Sequence, residues 1–412
     1  MLTGQRRISV LGSTGSIGIS TLDVVRSLGG HVVVVGLSAN TNARELSRQI
    51  TEFRPLAAAV VGRVVGETER PGNGPAAAGG AAVDAAAFRD VEAACRRVGT
   101  HLLRGPDGLL KIASLAEADR VVNALVGAVG IEPTLAAIRA RKDVALANKE
   151  SLVAAGSIIV EEARRAGVRL VPIDSEHSAV YQCMGGEDGR GIRRVILTAS
   201  GGPLIGLDRK ALARVTAREA LKHPTWRMGK KVTIDSATLL NKGFEVIEAH
   251  WLFGVPADRI EVVVERKSIV HSLVEFVDGS VSALLSPPDM RLPIQFALTS
   301  PERRETSFPK LDLEAIGAIS FERPDLERFP CLGLAYDALR RGGTAPAALS
   351  AADEVSVEAF LADRIMYGDI HAVLSKILSA HKATEAGSLE AVLGADRWAR
   401  SEAQRLIEGI SR

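Results

Sequence analysis

The chain has 412 residues. At the usual ~100 to 200 residues per domain, this length predicts two to four domains and excludes one small module. Lysine and arginine number 51 and aspartate and glutamate 49, so the formal net charge of +2 lacks the broad positive field of a dedicated nucleic-acid-binding protein. With 46% hydrophobic and 24% charged residues, the composition is typical of an ordered globular chain.

The three cysteines, Cys95, Cys183 and Cys331, are far apart and form no CxxC pair, which argues against a disulfide framework and against a zinc site. The N-terminal residues contain no apolar stretch of signal-peptide length, and no run approaches the ~18 apolar residues of a membrane span. We therefore expect a soluble, cytoplasmic protein without a membrane partner.

The first part of the chain reads as alternating strands and helices. Residues 7–40 contain an apolar run, glycines, a helical pattern and a second apolar run, which together predict one βαβ unit. A comparable alternation recurs from Val121 to Ile173. Continuous apolar strands of this kind are typical of a parallel sheet covered by helices, so we predict a Rossmann-like, doubly wound α/β domain over residues 1–173.

A Gly/Ala-rich stretch interrupts this domain between Gly66 and Ala87. Its glycines and prolines discourage regular structure, although Asp84 to Phe88 can start a helix. We interpret the stretch as a tolerated surface insertion and assign it no function.

The pattern changes after Ile173. Two runs, Ile192–Thr198 and Lys231–Ile234, are strand-like, and residues 259–285 read as a three-stranded meander that turns at Lys267 and at the hairpin pair Asp278-Gly279. This predicts a central α+β domain over residues 174–299. Prolines from 287 to 309 indicate an extended connector, and a helical pattern follows, so we predict a linker over residues 300–334 and a C-terminal helical domain over residues 335–412.

Residues 12–18 read GSTGSIG, directly after a strand and at the start of a helix. Glycines there let the backbone approach a pyrophosphate, and the free amides of the helix N-terminus face its charge, so the segment predicts dinucleotide binding. No Gly-Lys-Ser/Thr follows, which excludes a Walker A loop. At the end of the second strand, residues 37–41 carry no carboxylate to bind the ribose hydroxyls of NAD, and Arg44 is near. This favours NADP over NAD. The alternative is that Glu45 or Asp23 binds the ribose instead.

Residues 171–178 read VPIDSEHS after an apolar strand. Because alternate strand residues share a face, Asp174 and Glu176 could present both carboxylates to one side at the carboxyl edge of a sheet. Two converging carboxylates need a proton or a cation between them, and oxygen ligands suit Mg²⁺ or Mn²⁺. Taken alone, the segment favours an exposed turn in which Ser175 caps a helix.

A third carboxylate strengthens the metal hypothesis. In the segment DSATLLNKGFEVIEAHW at residues 235–251, apolar residues at helical spacing predict a buried stripe, and Asn241, Lys242 and Glu245 share an adjacent face. Asp235 or Ser236 could cap the start of this helix. The alternative is an ordinary amphipathic helix with a surface Lys-Glu pair.

Two further segments are unusual for a scaffold. Residues 198–203 read TASGGP after a strand and resemble an anion-binding turn. Residues 222–229 read KHPTWRMG and are neither helix-like nor strand-like, yet they carry Trp226 and Met228, which must be buried on something. We interpret them as a lid over a ligand, with a permanently packed loop as the alternative.

In this order, the segments resemble the 1-deoxy-D-xylulose 5-phosphate reductoisomerase family of the non-mevalonate isoprenoid route. The matching stretches are GSTGSIG, LANKES, VPIDSEHS, ASGGP, HPTWRMG, DSATLLNKGFEVIEA and SPPDMRLPIQ. The resemblance implies a homodimeric, cytoplasmic enzyme that depends on NADPH and on Mg²⁺ or Mn²⁺. It also implies a carbon-skeleton rearrangement of 1-deoxy-D-xylulose 5-phosphate, followed by reduction to 2-C-methyl-D-erythritol 4-phosphate.

The resemblance also implies the roles of single residues. The implied metal ligands are Asp174, Glu176 and Glu245. The implied cofactor contacts are Thr14, Gly15, Ser16, Ile17, Ser38, Ala39, Asn40, Asn148, Glu150 and Gly229. The implied substrate contacts are Lys149, Ser175, Glu176, Ser200, His223, Trp226, Met228, Ser236, Asn241, Lys242 and Glu245, of which Lys149, Glu176, His223 and Lys242 are the catalytic candidates.

The sequence departs from the family in two places. Ser38-Ala39-Asn40 stands where many members have Gly-Lys-Asn or Gly-Ser-Asn, and the Gly66–Ala87 stretch is longer than usual. Two rival functions are a metal-independent NADP dehydrogenase and a non-catalytic NADP sensor. Loss of activity with a chelator separates the first from the metal enzyme, and cofactor oxidation with a sugar phosphate separates the second.

Overall fold

The computed structural model describes residues 5–65, 82–185, 191–226 and 228–410. The chain divides into two compact units. Unit one comprises Met1–Asn148, Glu162–Val171 and Ile294–Ser307, and unit two comprises Lys149–Glu161, Pro172–Pro293 and Phe308–Arg412. Most of the Gly/Ala-rich insertion, residues 66–81, lies outside the described residues.

Unit one is built on a parallel seven-stranded sheet with the strand order β6-β3-β2-β1-β7-β8-β9. A separate short pair, β4 and β5, flanks the insertion. The strands are β1 Arg6–Leu11, β2 Val32–Ala39, β3 Ala57–Val60, β4 Arg63–Val64, β5 Ala82–Val83, β6 His101–Arg104, β7 Arg120–Asn123, β8 Asp143–Leu146 and β9 Leu170–Pro172. The order reverses between β1 and β7, and the carboxyl edge at such a switch point is where doubly wound sheets bind ligands.

Helices connect these strands, as the alternating pattern predicted. They are α1 Ser16–Ser27, α2 Ala43–Phe53, α3 Ala85–Val98, α4 Gly105–Ala113 and α5 Ile131–Arg139. The predicted helix start near Asp84 is confirmed, because its carboxylate accepts hydrogen bonds from the amides of Ala86 and Ala87 and caps α3. The Rossmann-like α/β fold is confirmed for this part of the chain.

Unit two contains a mixed four-stranded sheet with the order β11-β10-β12-β13. Its strands are β10 Ile192–Ala199, β11 Ile260–Val264, β12 Val270–Phe276 and β13 Val281–Leu285. The hairpin at Asp278-Gly279 is confirmed, but the predicted meander turn at Lys267 is wrong: β11 pairs in parallel with β10, not with β12. The long helical connection between β10 and β11 makes this parallel pairing possible.

The helices of unit two surround this sheet. From α6 to α11 they are α6 Lys149–Ala166, whose last residues belong to unit one, α7 Ser175–Met184, α8 Arg209–Leu212, α9 Ala217–Ala220, α10 Lys230–Ala237 and α11 Leu240–Phe253. The later helices are α12 Arg291–Thr299, which passes into unit one, α13 Leu313–Ile316, α14 Cys331–Arg341, α15 Ala345–Leu361, α16 Tyr367–Ala380 and α17 Leu389–Ile410.

Three local predictions in this region are wrong. The run Lys231–Ile234 is helical in α10, because so short an apolar run does not distinguish a strand from a helix. Asp235 and Ser236 lie inside α10 and therefore cannot cap α11, whose N-cap is Leu239. The extended connector is interrupted by α12, which tolerates Pro293 in its first turn, where no amide hydrogen bond is lost.

The core of unit two joins its sheet, α11 and the helices α14 to α17. Leu240, Phe244 and Ile247 form the predicted stripe and are buried, while Trp251 is half-buried at its end. A Cβ atom on Gly156 would lie 2.2 Å from the Trp251 ring, so α6 packs closely on α11. Among the described helices, none combines the length and the apolar character that crossing a bilayer requires.

Candidate active site

The glycine-rich turn of unit one is built from backbone. Gly12 adopts φ +76°, and a Cβ atom on Gly18 would stand 2.4 Å from the carbonyl oxygen of Gly12, so neither position accepts a side chain without a shift of the backbone. Gly15 is the N-cap of α1 and supplies no side-chain cap. The first amides of α1 are therefore available to a negatively charged group.

The predicted cofactor contacts of the turn differ in exposure. Gly15 and Ser16 are exposed and Thr14 and Ile17 are half-buried, so all four are within reach of a ligand. At the end of β2, Ser38 and Ala39 are buried, and Asn40 is exposed. The Ser38 hydroxyl accepts a hydrogen bond from the Gly12 amide at 3.2 Å, so Ser38 holds the turn in place.

Asn148 shapes the same carboxyl edge. Its side-chain amide donates to the carbonyl oxygens of Leu125 and Gly127, and a Cβ atom on Gly130 would collide with it. Asn148 is 1% exposed. It therefore fixes the loop after β7, which lies next to β1 at the switch point.

In unit two, acidic residues at the start of α7 and within α11 converge. Asp174 caps α7 and Glu176 lies in the first turn of that helix, while Glu245 lies on α11. Each offers one oxygen atom within 4.8 Å of the others. Asp174 and Glu176 meet through a helix cap, and not through the strand alternation that the sequence suggested.

Two ammonium groups bind these carboxylates. Lys149 Nζ contacts Asp174, lies 3.5 Å from Glu245 Oε1 and donates a hydrogen bond to Glu248 at 3.4 Å. Lys242 Nζ donates to Glu176 Oε1 at 2.8 Å and contacts Glu245. We call the set Lys149, Asp174, Glu176, His177, Lys242, Glu245 and Glu248 the carboxylate site.

The electrostatics of the carboxylate site follow from burial and crowding. Burial and the neighbouring Glu176 raise the pKa of Glu245 to about 7. Burial also raises the pKa of Asp174, but Lys149, His177 and Lys242 together outweigh burial and hold that pKa well below its usual range. The four carboxylates exceed the two ammonium groups and the protonated His177 ring in charge, and a bound cation would reduce this excess.

His177 and Glu248 were missed by sequence analysis. His177 Nε2 lies 2.8 Å from the Glu245 carbonyl oxygen, so its N–H donates there, and Nδ1 lies 3.4 Å from Asp174 Oδ1. Burial lowers the pKa of His177, yet Glu248 and Asp174 raise it to about 9. The only available signals were the position of His177 next to Glu176 and the three-residue spacing of Glu245 and Glu248, which also occur on ordinary helices.

The donor set of the carboxylate site fits a hard divalent cation. Mg²⁺ holds oxygen ligands at about 2.1 Å, so neighbouring ligands of one ion lie about 3.0 Å apart. The three oxygen atoms of Asp174, Glu176 and Glu245 lie within 4.8 Å of one another and would approach by up to about 2 Å to hold such an ion. A second group that could hold a metal, Asp174, His177 and Glu248, shares one of these ligands.

The segment around His223 lies against the turn after β10. His223 Nδ1 accepts hydrogen bonds from the amides of Thr225 and Trp226, and burial lowers the pKa of His223. The neutral ring therefore carries its proton on Nε2, 3.1 Å from the Ser200 hydroxyl oxygen. The Trp226 ring lies 6.3 Å from that of the buried His271, which sequence analysis also missed, and Met228 is half-buried.

The other polar residues predicted to contact the substrate lie on α10, α11 and α7. A Cβ atom on Gly202 would lie 2.3 Å from the Ser236 carbonyl oxygen, so the turn packs closely against the end of α10. On α11, the Asn241 side-chain amide donates to Glu245 at 2.5 Å, and its buried Oδ1 has no hydrogen-bond partner among the described residues. The Ser175 hydroxyl donates to Glu176 at 2.5 Å.

A second charged cluster lies beside α10. Lys231 Nζ is 2.7 Å from Asp235, 2.8 Å from Asp353 and 3.7 Å from Glu150. Gly229, the remaining cofactor candidate, is exposed and is the N-cap of α10. The cluster therefore links Glu150 on α6 to α10 and α15.

Models of known protein families match most of the chain. Residues 8–68 and 77–156 match the family model described as 1-deoxy-D-xylulose 5-phosphate reductoisomerase. Residues 170–253 match the model of the C-terminal domain of that enzyme, and residues 285–402 match a model described as DXP reductoisomerase C-terminal domain.

Two curated relatives carry the same name. The 1-deoxy-D-xylulose 5-phosphate reductoisomerase of Chlorobium chlorochromatii is 48% identical over 409 residues, which is 98% of this chain and 100% of that protein. The 1-deoxy-D-xylulose 5-phosphate reductoisomerase of Cupriavidus necator is 49% identical over 412 residues, which is 99% of each chain.

Solved structures agree with the sequence matches. The reductoisomerase from Zymomonas mobilis in complex with NADPH superposes with a TM-score of 0.86 at 38% identity and covers 98% of this chain and 100% of that one. A DOX-P reductoisomerase in complex with NADPH, fosmidomycin and magnesium gives a TM-score of 0.88 at 37% identity and covers 98% of both chains.

Proposed function

The chain belongs to the 1-deoxy-D-xylulose 5-phosphate reductoisomerase family, and we propose that its NADPH- and metal-dependent conversion of 1-deoxy-D-xylulose 5-phosphate to 2-C-methyl-D-erythritol 4-phosphate takes place at the carboxylate site. The observation that supports this assignment is the convergence of Asp174, Glu176 and Glu245, each with an oxygen atom within 4.8 Å of the others.

Asp174, Glu176 and Glu245 hold Mg²⁺ or Mn²⁺ in this proposal. A divalent ion bound there supplies Lewis acidity toward the hydroxyl and carbonyl oxygens of the substrate. Lys149, which contacts Asp174 and lies 3.5 Å from Glu245, places a positive charge beside the same oxygens and stabilises negative charge that develops on them. The Ser175 and Glu176 side chains border the same position.

Ser200, Ser236, Asn241 and Lys242 bind the substrate phosphate. The Ser200 oxygen accepts hydrogen bonds from the Gly202 amide and from the neutral His223 ring, so the Ser200 hydroxyl hydrogen is left to donate to a phosphate oxygen. Lys242 adds a buried ammonium, whose pKa is raised above its usual value because the nearby Glu176 and Glu245 outweigh burial. A phosphate held firmly fixes the position of the reacting carbon atoms.

NADPH binds the glycine-rich turn through Thr14, Gly15, Ser16 and Ile17 and supplies the hydride of the reduction. The further cofactor contacts that we propose are Ser38, Ala39, Asn40, Asn148, Glu150 and Gly229. The exposure of Asn40 and the absence of a carboxylate in residues 37–41 leave space for the 2′-phosphate of the cofactor.

His223, Trp226 and Met228 form a flap over the substrate. Trp226 is only half-buried and contacts His271, so its ring keeps surface that a bound ligand would cover. A covered site excludes water from the rearranging intermediate and retains it until the reduction.

We also propose a functional division and an assembly. Residues 1–173 bind NADPH, residues 174–299 bind metal and substrate, residues 300–334 connect, and residues 335–412 form the C-terminal helical part of a cytoplasmic homodimer. Val281 in the edge strand β13 and Val277 in the preceding turn have exposed side chains. They support association of two chains, because an open strand edge can pair with another chain. Sedimentation equilibrium tests the dimer, and twice the monomer mass is expected.

The test of the function is NADPH absorbance with 1-deoxy-D-xylulose 5-phosphate, with and without added Mg²⁺ or Mn²⁺. We expect oxidation of NADPH that stops on addition of a chelator and returns with excess metal. Activity that survives the chelator would favour a metal-independent dehydrogenase. No oxidation under any condition would favour a non-catalytic NADP sensor.

A further inference from the structure

A cavity of about 750 Å³ lies within unit one at the amino ends of the parallel strands. Its lining includes the start of β1, the start of β7 and Arg169, which directly precedes β9. The glycine-rich turn lies at the opposite, carboxyl edge of the same sheet. The cavity shares no lining residue with that turn or with the carboxylate site.

Arginine side chains dominate this cavity. They are Arg6, Arg7, Arg120, Arg169 and Arg304, and the lining carboxylates are Asp119, Asp143 and Glu302. Five positive charges therefore face three negative charges. We call these five residues the arginine cluster.

The carboxylates are already occupied by individual arginines. Asp119 pairs with Arg7 at 3.7 Å. Asp143 bridges Arg120 at 3.2 Å and Arg169 at 2.6 Å. Glu302 pairs with Arg304 at 2.8 Å, whereas Arg6 forms no ion pair within the part of the chain that the structure describes.

Helix capping explains only part of the arginine cluster. Arg6 and Arg120 contact the carbonyl oxygens of Leu298 and Ala297 at the end of α12, where cations are favourable. Capping does not account for Arg7, Arg169 and Arg304, which bind no carbonyl of that helix in the described residues. The excess of positive charge thus remains unexplained by the fold.

The buried member of the cluster is incompletely satisfied. Arg120 is 1% exposed, and its Nε atom has no hydrogen-bond partner among the described residues. Burial, followed by repulsion from Arg6, lowers the pKa of Arg120 to about 10. An anion in the cavity would relieve this repulsion.

We propose that the arginine cluster binds a phosphate or diphosphate group that carries at least two negative charges, either free or as part of a small organic ester. Guanidinium groups bind phosphate oxygens through paired hydrogen bonds, and two charges match the imbalance of the lining. The cavity volume lies within the ~300–1,000 Å³ range of small-molecule sites, so an ester fits as well as the inorganic ion.

The test is isothermal titration of the full chain with inorganic pyrophosphate at low ionic strength. NADPH is kept saturating, so that pyrophosphate cannot occupy the glycine-rich turn. We expect a sub-millimolar Kd, and Arg169→Gln and Arg304→Gln should each raise it at least about tenfold, because a hydrogen bond to a charged group contributes ~1.5–3 kcal/mol. Both arginines are partly exposed, so their loss should leave the fold and the NADPH Kd unchanged.

Matched controls separate this cavity from other anion sites. Arg48→Gln removes an exposed arginine of α2 outside the cavity and should not change the pyrophosphate Kd. Ser200→Ala removes a proposed phosphate contact of the substrate site and should not change it either. Methyl diphosphate distinguishes the ligand source, since tighter binding than pyrophosphate supports an organic ester and weaker binding supports the inorganic ion.

Two results would overturn the proposal. One is the absence of heat from pyrophosphate or phosphate binding at millimolar concentration. The other is a Kd that stays the same in Arg169→Gln and Arg304→Gln but rises in Ser200→Ala, because the titrated anion would then occupy the substrate site.

Discussion

The glycine-rich turn and the carboxylate site present groups for a charged ligand by opposite means. The turn offers backbone amides at the start of α1 and contains no charged side chain between Gly12 and Gly18. The carboxylate site consists of buried and half-buried, oppositely charged side chains from α6, α7 and α11. Steric fit therefore fixes the geometry of the glycine-rich turn, and electrostatic balance fixes that of the carboxylate site.

This difference predicts different weaknesses. A turn made of backbone fails when an added atom displaces the chain, because its amides lose their direction. A cluster of buried charges fails when one charge is removed, because its partners are then buried without compensation. Substitutions in the two places should therefore damage different ligands, and each should leave the other ligand unaffected.

The largest effect is expected from Glu245→Gln in the carboxylate site. The variant keeps the shape of the side chain but removes the negative charge of one of three proposed metal ligands. Loss of about 4 kcal/mol from the several that a metal supplies corresponds to about a 1000-fold fall in kcat. Metal titration should show weaker Mn²⁺ binding, and the NADPH Kd should not change.

Glu261→Gln is the matched control for that substitution. Glu261 is a half-exposed residue of β11 that pairs with Arg194, outside the carboxylate site. Its substitution should leave kcat and metal affinity as they are. If Glu245→Gln retained full activity, Glu245 would not be a metal ligand.

The next largest effect is expected from Gly18→Ala in the glycine-rich turn. In Gly18→Ala, the new methyl group would stand 2.4 Å from the Gly12 carbonyl oxygen and 2.5 Å from the backbone of Ser13. Overpacking of ~1–3 kcal/mol should raise the NADPH Kd roughly 10- to 100-fold, measured by fluorescence titration, without a change in Mn²⁺ affinity. Gly368→Ala, at a helical glycine with no atom within 4 Å, is the control. An unchanged NADPH Kd would show that the turn does not hold the cofactor.

The two regions also differ in how far the sequence predicts them. The turn is local: strand, glycines and helix follow one another within residues 6–27, so the pattern alone predicts its geometry. Asp174 and Glu245 lie 71 positions apart in the sequence, and no periodicity of the sequence indicates that they meet. The sequence supplied the candidates, mostly through the family resemblance, and the packing of α7 against α11 supplies the proximity.

The wrong and missed predictions have the same origin, because they depend on contacts between residues that are distant in the sequence. Short segments such as Lys231–Ile234 have strand-like composition, but the tertiary environment of α10 decides their structure. The parallel pairing of β11 with β10 depends on a crossover that local turn signals do not encode. Glu248 was missed because an acidic residue three positions after Glu245 looks like any exposed helical position until burial is known.

A smaller effect is expected for the flap, which depends on ring packing and not on charge. Trp226→Ala removes the contact with His271 and, with it, the proposed cover over the substrate. Loss of an aromatic contact of ~0.5–1.5 kcal/mol should raise KM and lower kcat, each by up to about tenfold, in steady-state assays. Trp398→Ala, which removes a ring of α17 that packs on His381, is the matched control and should leave both constants unchanged. Equal kinetics in the two variants would mean that the loop is passive.

The smallest effect concerns stability and the cluster around Lys231, which resembles the carboxylate site in composition. Burial and the neighbouring Asp353 raise the pKa of Asp235 well above its usual value. Folding therefore takes up a proton, so the contribution of Asp235 to stability is complete below pH ~4 and declines as the pH rises toward the folded pKa.

Asp235→Asn removes this titration, and its melting temperature should fall less steeply between pH 5 and 8 than that of the unsubstituted chain. The difference should be at most a few degrees per pH unit, since one proton contributes at most ~1.4 kcal/mol per pH unit, and each kcal/mol corresponds to about 2–4 °C in a domain of ~150–250 residues. The exposed Asp258→Asn should keep the original slope. Superimposable slopes for all three chains would mean that Asp235 is ionised in the fold, and that Lys231 alone is sufficient to hold two buried carboxylates.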